Sequence, residues 1–336
     1  MTWETLDWEI LDRLRETFLT GDKTAGPYWH TITDLECYDF TYGERIGWKW
    51  DAVLAELKSR GWAPPAGGAL LDWGCGSGIA GRRVLEAFGA GHFSRLVLHD
   101  HSELAMDFAE HRAKQAFPGL AVERASVRFL RSAEPIGLLV ISHVVNELDE
   151  IARAELTELA ARASAILWVE PGTHEVSRAL GAWREKLRPR FQIIGPCPHQ
   201  ATCGVLTAGN ERHWCHFFAP PPTGVYADSD WVRFGQRAGI DLRALPYSFL
   251  ALDGRPSTLD TTPGRSRIIR EPQLFKGYAK IFNCDASGAA ELTLQKRDAP
   301  GLLKRFKQDG AGTDFHRWTH ENGRITKVDD TPAENR

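Results

Sequence analysis

The sequence predicts an α/β protein built on a doubly wound, largely parallel sheet. From residue 66 onward, short apolar runs alternate with segments of helical periodicity, which is the pattern of strands joined by crossover helices. The run LLVI at 138–141 is apolar throughout, as expected for a strand buried on both faces of such a sheet. A glycine-rich turn follows the first predicted strand, at the strand end where folds of this class bind ligands.

Residues 1–65 form a predicted N-terminal helical region, because Trp3, Leu6, Ile10 and Leu14 recur near helical spacing. A break at APPAGG leads into a predicted Rossmann-like core at 66–195. Within this core, strands are predicted at 69–73, 95–100, 126–130, 137–144 and 165–171, and helices at 79–88, 102–116, 149–163 and 174–188.

A cysteine-rich insertion is predicted at 196–225, where the alternation of strands and helices stops and no clear periodicity replaces it. Residues 226–328 are predicted to supply the remaining core strands and a small, basic C-terminal β extension. A helix is expected over 231–240, and strands are expected over 248–252, 276–284 and 290–297. The tail at 329–336 is predicted to be disordered.

Length and composition exclude several classes of protein. The 336 residues suffice for a sizeable core, and no apolar run approaches the length of a membrane span. The N-terminus has the features of neither a signal peptide nor a transit peptide, so we expect a cytoplasmic protein with reduced thiols. Six cysteines in such a chain favour ligation or chemistry over disulfides. We expect no membrane partner and a monomer in the free state.

A motif of the form Asp-x-Gly-x-Gly-x-Gly covers the end of the first predicted strand and the turn after it, in LLDWGCGSG at 70–78. Glycines let the backbone turn sharply and approach a ligand, and the following helix presents free N–H groups. The dinucleotide fingerprint G-x-G-x-x-G has a different spacing. The motif resembles the first motif of class I S-adenosylmethionine-dependent methyltransferases. This resemblance implies that a loop containing Gly74, Gly76 and Gly78 wraps the methionine end of the cofactor, and that Asp72 helps to hold its amino group.

Two further elements complete the predicted cofactor site. Asp100 ends the second predicted strand, where an acidic residue accepts hydrogen bonds from the ribose hydroxyls in folds of this type. The loop after the fourth predicted strand holds His143 and Asn146, which either line the site or cap and pack the loop. Methyl transfer from a sulfonium mainly requires alignment of donor and acceptor, and no residue stands out as a catalytic base.

Four cysteines form a second candidate site. Cys197, Cys203 and Cys215 lie within nineteen residues, and Cys284 follows in a predicted late strand. These spacings are wider than those of zinc ribbons, and four thiolates suit an iron–sulfur cluster equally well. Zinc stays open as an alternative because three histidines, which are common zinc ligands, lie in the same segment: His199, His213 and His216.

Together these motifs resemble one family, the methyltransferase-like proteins of the mitochondrial small ribosomal subunit and their bacterial relatives. The resemblance rests on LLDWGCGSG, HVVNEL, WVEPGT, CPHQATC, WCHF and the strand with Cys284. It implies S-adenosylmethionine as cofactor and a [4Fe–4S] cluster held by the four cysteines. It also implies binding to small-subunit rRNA or the small ribosomal subunit, either as an rRNA methyltransferase or as an assembly factor. The alternative is a small-molecule methyltransferase with a structural zinc site.

Positive charge is concentrated near the C-terminus. Residues 265–307 hold ten Lys/Arg and four Asp/Glu, so this segment carries +6 although the whole chain carries −3. Such a segment either binds an anionic polymer or forms an ordinary solvated face. We predict a phosphate-contacting surface that includes Arg265, Arg267, Arg270, Lys276, Lys280, Lys296 and Arg297.

Overall fold

The structure, a computed structural model, describes residues 1–20, 28–256 and 264–329. The helices are α1 (Trp8–Thr20), α2 (Ile32–Tyr38), α3 (Glu44–Ser59), α4 (Ile79–Phe88), α5 (Glu103–Ala116), α6 (Val127–Leu130), α7 (Glu150–Arg162), α8 (His174–Leu187), α9 (Ser229–Ala238) and α10 (Pro300–Asp309). The strands are β1 (Ala69–Trp73), β2 (Arg95–His99), β3 (Val122–Arg124), β4 (Ile136–Ser142), β5 (Ala163–Pro171), β6 (Gln192–Gly195), β7 (Phe217–Phe218), β8 (Pro246–Asp253), β9 (Arg265–Ile268), β10 (Gln273–Leu274), β11 (Tyr278–Asp285), β12 (Gly288–Gln295), β13 (His316–Glu321) and β14 (Arg324–Val328). Within the described part of the chain, no helix is both long enough and apolar enough to cross a membrane.

The chain divides into two compact units. The first comprises Met1–Val169 and Phe218–Leu245, and the second comprises Glu170–Phe217 and Pro246–Arg336. The five-part division expected from the sequence stays a prediction. Its disordered tail falls, from residue 330 onward, outside the described residues.

The first unit contains a parallel sheet in the order β3-β2-β1-β4-β5. Strand β1 lies at its centre, and Leu71 is paired with Val97 of β2 on one side and with Leu139 of β4 on the other. All five residues of β1 are buried, which explains its continuous apolar character. This order is that of Rossmann-type folds, so the predicted fold class, a doubly wound sheet of the class I methyltransferase type, is confirmed.

The N-terminal helices of the first unit pack with α9, which comes much later in the chain. Arg237 of α9 forms an ion pair with Asp12 of α1 at 2.7 Å, and Arg15 Nε donates to the carbonyl oxygen of Ala238 at 2.5 Å. Trp3 contacts Trp231 edge-to-face, with ring centroids 5.1 Å apart. The helical character predicted for the N-terminal region is confirmed for its described residues.

One predicted strand is wrong. Val127–Leu130 form the short helix α6 within the predicted strand, and the strand that pairs with β2 is β3, a few residues earlier. The helix begins because Ser126 acts as its N-cap, with its hydroxyl oxygen accepting a hydrogen bond from the Phe129 N–H at 3.1 Å. Val127 is 66% exposed, so its β-branched side chain does not mark a buried strand.

The second unit contains the antiparallel pair β6–β8 and a small barrel. The barrel follows the order β9-β11-β12-β14-β13 and closes because β13 pairs back onto β9. Strands β12 and β14 are parallel, whereas the other neighbours in this ring are antiparallel. Its interior is filled by apolar side chains of the strands and of α10, among them Ile281, Leu292, Leu303, Phe306 and Trp318.

Candidate functional site

The glycine turn after β1 is shaped for close approach by a ligand. Gly76 has φ +51°, and a Cβ atom there would meet nothing within 4 Å, so open space lies beside the backbone. Gly78 has φ +74° and directly precedes α4, and a Cβ atom there would lie 2.8 Å from the Ala109 Cβ. Glycine is therefore required at Gly78 by both conformation and packing.

Asp100 lies just after β2 and faces the glycine turn. Its Oδ2 accepts a hydrogen bond from the Gly76 N–H at 2.9 Å, and its Oδ1 accepts one from the Ser102 N–H at 2.9 Å. The residue is 8% exposed and lines the cleft described below. These two backbone donors fix the carboxylate at the carboxyl end of the sheet, where the sequence predicts a ribose-binding acid.

Asp72 lies beneath the turn. One carboxylate oxygen accepts a hydrogen bond from the Gly81 N–H at 2.9 Å, but the other is buried without a hydrogen-bond partner. Burial raises the pKa of Asp72 to about 7, although the Gly81 N–H and Arg82 act in the opposite direction. The side chain is fully buried and does not line the cleft, unlike Asp100.

A cleft of about 550 Å³ opens beside the glycine turn. Its lining includes Gly74, Gly76, Asp100 and His143 of the predicted site, so the structure brings these residues together. Sequence reasoning missed its aromatic wall, which contains Phe18, Tyr28, Trp29, Tyr38 and Trp73. The dense aromatic residues between positions 28 and 42 were the available signal for that wall.

His143 is one of the polar side chains that line this cleft. Its backbone has φ +56°, which is uncommon for a residue other than glycine and is often found at functional sites. The Nε2 atom lies 3.3 Å from Lys49 Nζ, and Nδ1 lies 3.4 Å from Ser142 Oγ. Burial, followed by the charge of Lys49, lowers the pKa of His143 well below its usual value, so its ring is neutral at pH 7.

Asn146 is exposed and is not among the residues that line the cleft. The loop instead contributes Glu147, which accepts a hydrogen bond from the Tyr28 hydroxyl. Burial, together with this carboxylate, raises the pKa of Tyr28 to about 12. The tyrosine therefore stays protonated, and its single hydroxyl hydrogen is donated to Glu147.

The four predicted cysteine ligands come together in the second unit. Burial raises the pKa of the Cys284 thiol well above its usual value, and the nearby Cys197, Cys215 and Cys203 raise it further. Such mutual effects require the sulfur atoms to lie near one another. Cys37 and Cys75 belong to the first unit. Among the described residues, no three His, Cys, Asp or Glu side chains converge closely enough to hold a single metal ion.

Two buried arginines lie beside these cysteines. Arg184, 3% exposed, donates from Nε to Cys197 Sγ at 3.3 Å and from Nη2 to the Ala201 carbonyl oxygen at 2.7 Å. Arg267, 1% exposed, donates from Nη1 to the Pro196 carbonyl oxygen at 3.0 Å, and its guanidinium carbon lies 3.9 Å from the centroid of the Phe217 ring. The prediction that Arg267 contacts phosphate from the surface is therefore wrong.

The three histidines of this segment have different surroundings. His199 Nε2 lies 3.5 Å from Cys284 Sγ, and burial lowers the pKa of His199 to about 4, which keeps the imidazole neutral. His213 instead packs against Phe282, with ring centroids 4.1 Å apart. His216 stacks on Trp214 at 4.7 Å. His199 thus contacts one of the four thiols.

Comparison with known proteins gives the following matches. The family model of the mitochondrial small ribosomal subunit protein Rsm22 matches residues 45–315. No curated protein matches the chain. Among solved structures, a magnesium protoporphyrin IX methyltransferase from Synechocystis PCC 6803 with bound SAH is 14% identical, with 73% of this chain and 94% of that chain covered and a TM-score of 0.38. A putative RNA methyltransferase from Pyrococcus horikoshii is 10% identical, with 61% and 83% covered and a TM-score of 0.37. The 16S rRNA methylase RmtB is 16% identical, with 56% and 69% covered and a TM-score of 0.33.

Proposed function

The chain belongs to the family of the mitochondrial small ribosomal subunit protein Rsm22, and from this premise we propose a methyltransferase-like protein that binds S-adenosylmethionine, small-subunit rRNA and a [4Fe–4S] cluster. Two activities are compatible with these three ligands, S-adenosylmethionine, rRNA and the cluster. In the first, the protein methylates the rRNA. In the second, it acts as an assembly factor of the small subunit and uses the cofactor as a structural ligand.

The observation that carries the cofactor assignment is the turn at the end of β1 with Asp100 fixed opposite it. The open space at Gly76 accommodates a ligand against the backbone, and the Asp100 carboxylate can accept hydrogen bonds from ribose hydroxyls. That Asp72 helps to hold the amino group stays a prediction, because its side chain lies beneath the turn and does not line the cleft. The residues present therefore fit S-adenosylmethionine.

When bound, S-adenosylmethionine supplies an electrophilic methyl group on a sulfonium. The chain contributes binding and alignment, which account for most of what such a transfer requires. The lowered pKa of His143 makes its ring a poor proton acceptor, so the chain's contribution here is the shape and polarity of the cleft. The Tyr28 hydroxyl oxygen can accept a hydrogen bond from an acceptor group, while its hydrogen is donated to Glu147. The aromatic wall offers flat apolar surfaces against which a nucleobase can stack.

Titration calorimetry with S-adenosylmethionine tests the cofactor assignment. The expected result is saturable binding to one site. The Asp100→Asn variant should bind about 10- to 150-fold more weakly, because one charge-assisted hydrogen-bond acceptor is lost. Asp107→Asn is the matched control, since Asp107 is an exposed aspartate that pairs with Arg124. Equal affinity in wild type and Asp100→Asn would contradict this role of Asp100, and no binding to wild type would contradict the cofactor.

The cluster assignment is supported by the proximity of the four cysteines, whose thiols interact electrostatically, and by the buried cations beside them. Four thiolates carry negative charge, and Arg184 and Arg267 offset it within the protein interior. The four cysteines would hold the cluster, whereas no three His, Cys, Asp or Glu side chains among the described residues lie close enough together to hold one metal ion. A zinc site of Cys and His ligands is the alternative, and the contact between His199 and Cys284 is the observation that favours it.

Metal analysis of protein prepared without oxygen distinguishes the iron–sulfur cluster from the zinc site. About four irons per chain and a brown chromophore are expected for the cluster. One zinc per chain without iron would establish the alternative. Methyl transfer is tested separately, by incubating small ribosomal subunits with radiolabelled S-adenosylmethionine. Label in the rRNA supports the enzyme, whereas binding of cofactor and rRNA without label supports the assembly factor.

A further inference from the structure

The barrel of the second unit has the topology of an OB fold. Taken in chain order as first to fifth, its strands β9, β11, β12, β13 and β14 close in the order first-second-third-fifth-fourth. The third and fifth strands are parallel, and α10 lies between the third and fourth strands along the chain, as in OB folds. Barrels of this topology bind oligonucleotides or oligosaccharides on the face of the second and third strands and on the loop after the first strand.

That face has two distinct ends in this protein. The register of β11 and β12 alternates between buried pairs, such as Ile281 with Leu292, and outward pairs, such as Tyr278 with Gln295. At the Cys284 end, the cysteine segment covers the strands, because Asn210 Nδ2 donates to the Ala289 carbonyl oxygen at 2.9 Å. The opposite end, at Tyr278, carries the exposed residues described next.

An aromatic stack occupies this second end. The rings of Phe275 and Tyr278 are 4.5 Å apart and 9° from parallel, and the Phe275 N–H donates to the Tyr278 carbonyl oxygen at 2.9 Å. Phe275 is still 40% exposed. A single exposed apolar side chain needs no special explanation. Here, however, the turn and the stacked Tyr278 ring fix the orientation of the Phe275 ring, and part of that ring stays exposed to solvent.

Exposed positive charge surrounds the stack. The segments 273–278 and 295–297 contain Lys276, Lys296 and Arg297 but no Asp or Glu, and all three cations are exposed. The Lys296 N–H donates to the Gly277 carbonyl oxygen at 2.9 Å, so the two segments are adjacent. Arg297 Nε lies 3.8 Å from Asp298 Oδ1, whereas Arg270 and Lys280 pair more closely with Glu291, each at 2.9 Å.

We propose that Phe275, supported by Tyr278 and flanked by Lys276, Lys296 and Arg297, is a stacking platform for single-stranded RNA. This inference deepens the proposed function, on whose RNA partner it rests, by assigning the contact to one end of the barrel. Aromatic stacking tolerates any base, and the cations contact the phosphates. The platform therefore binds unpaired RNA with little dependence on its sequence.

Fluorescence anisotropy with the full-length protein and a labelled oligouridylate of about 12 nucleotides tests the platform. Phe275→Leu keeps an apolar side chain but removes the flat ring, and it should weaken binding about 5- to 150-fold. Phe275→Trp should retain binding. Tyr226→Leu is the matched control, because Tyr226 is an aromatic residue that is 50% exposed in the first unit, and it should bind like wild type.

A salt series tests the charges. Lys296→Gln with Arg297→Gln should lower the slope of log affinity against log salt by about 1.4, since each phosphate contact on a single strand contributes about 0.7. Arg128→Gln with Arg131→Gln removes the same charge from exposed positions in the first unit and should leave the slope unchanged.

The outcomes separate this inference from the proposed function. If Phe275→Leu and the Lys296/Arg297 variant both bind oligouridylate as tightly as wild type, the platform is refuted. RNA would then bind at another surface of the protein. No binding of oligouridylate or small-subunit rRNA by wild type would overturn both. Equal losses of RNA and polyglutamate binding in Phe275→Leu would mark a general polyanion surface, and would overturn stacking.

Discussion

Asp72→Asn should remove a specific dependence of stability on pH. The pKa of the buried carboxyl is raised from 3.8 to about 7, which corresponds to about 4 kcal/mol at 1.36 kcal/mol per pKa unit. Because the folded pKa is higher than the unfolded one, this contribution is fully present below about pH 4 and is lost as the pH rises through about 7. About 2.6 kcal/mol of the loss falls between pH 5 and pH 8.

Asparagine does not titrate and can still accept the hydrogen bond from the Gly81 N–H. The free energy of unfolding of Asp72→Asn, measured with urea in the absence of cofactor, should therefore rise relative to wild type by about 2.6 kcal/mol between pH 5 and pH 8. The comparison uses the transition of the first unit, followed by the fluorescence of its tryptophans, because a chain with two units need not unfold in one step.

Asp34→Asn is the matched control, since Asp34 is also a buried aspartate of the first unit. Burial acts to raise its pKa, but hydrogen bonds from the His30 N–H, Arg13 and Thr31 more than compensate, so its pKa is lowered. Its contribution to stability is lost only as the pH falls through that lowered pKa, below the range tested. The difference between wild type and Asp34→Asn should stay constant from pH 5 to pH 8. A constant difference for Asp72→Asn as well would refute the reasoning.

Three further outcomes are expected. Cys203→Ser should lose most of the iron of anaerobically prepared protein, as measured by iron analysis, whereas Cys37→Ser should keep it; equal iron in both variants would contradict ligation by Cys203. Gly78→Ala should lower the free energy of unfolding by about 1–3 kcal/mol more than Gly61→Ala, because both positions have positive φ but only Gly78 has a neighbour, Ala109, within 4 Å; equal losses in urea unfolding would contradict this packing argument. Arg184→Gln should lower the reduction potential of the bound cluster in a spectroscopic titration, because a cation and a donor to sulfur are removed; an unchanged potential would show that Arg184 does not tune the site.

Much of the first unit could be predicted because burial imposes a clear pattern on its sequence. Helix α4 has the predicted bounds, and β1 matches its predicted range, since a fully buried strand and a glycine turn leave few alternatives. The error at 126–130 arose where one hydroxyl decides the local structure. Ser126 caps a helix there, and the apolar run that follows it is only partly buried.

The barrel was only partly predictable. Strands β11 and β12 follow from their alternating residues, but β13 and β14 were not predicted, although Asn322 and Gly323 form the kind of turn that marks a hairpin. The positive charge of residues 265–307 was a weaker guide to the phosphate-contacting surface than the alternating residues were to these strands. A sequence cannot show that Arg267 is buried beside Cys215 while Lys296 is exposed, because that difference depends on strand pairing between distant segments.

The four cysteines are divided between two stretches of chain that are synthesised at different times. Cys197, Cys203 and Cys215 emerge from the ribosome well before Cys284, which belongs to the second strand of the barrel ring. A nascent chain that ends before β11 therefore offers at most three of these four thiols. In the proposed cluster-bound protein, complete ligation would mark chains whose β11 has been made and has folded against the earlier segment. Binding of the cluster would then show that β11 has folded, and β11 is also the strand that contains Tyr278 of the aromatic stack.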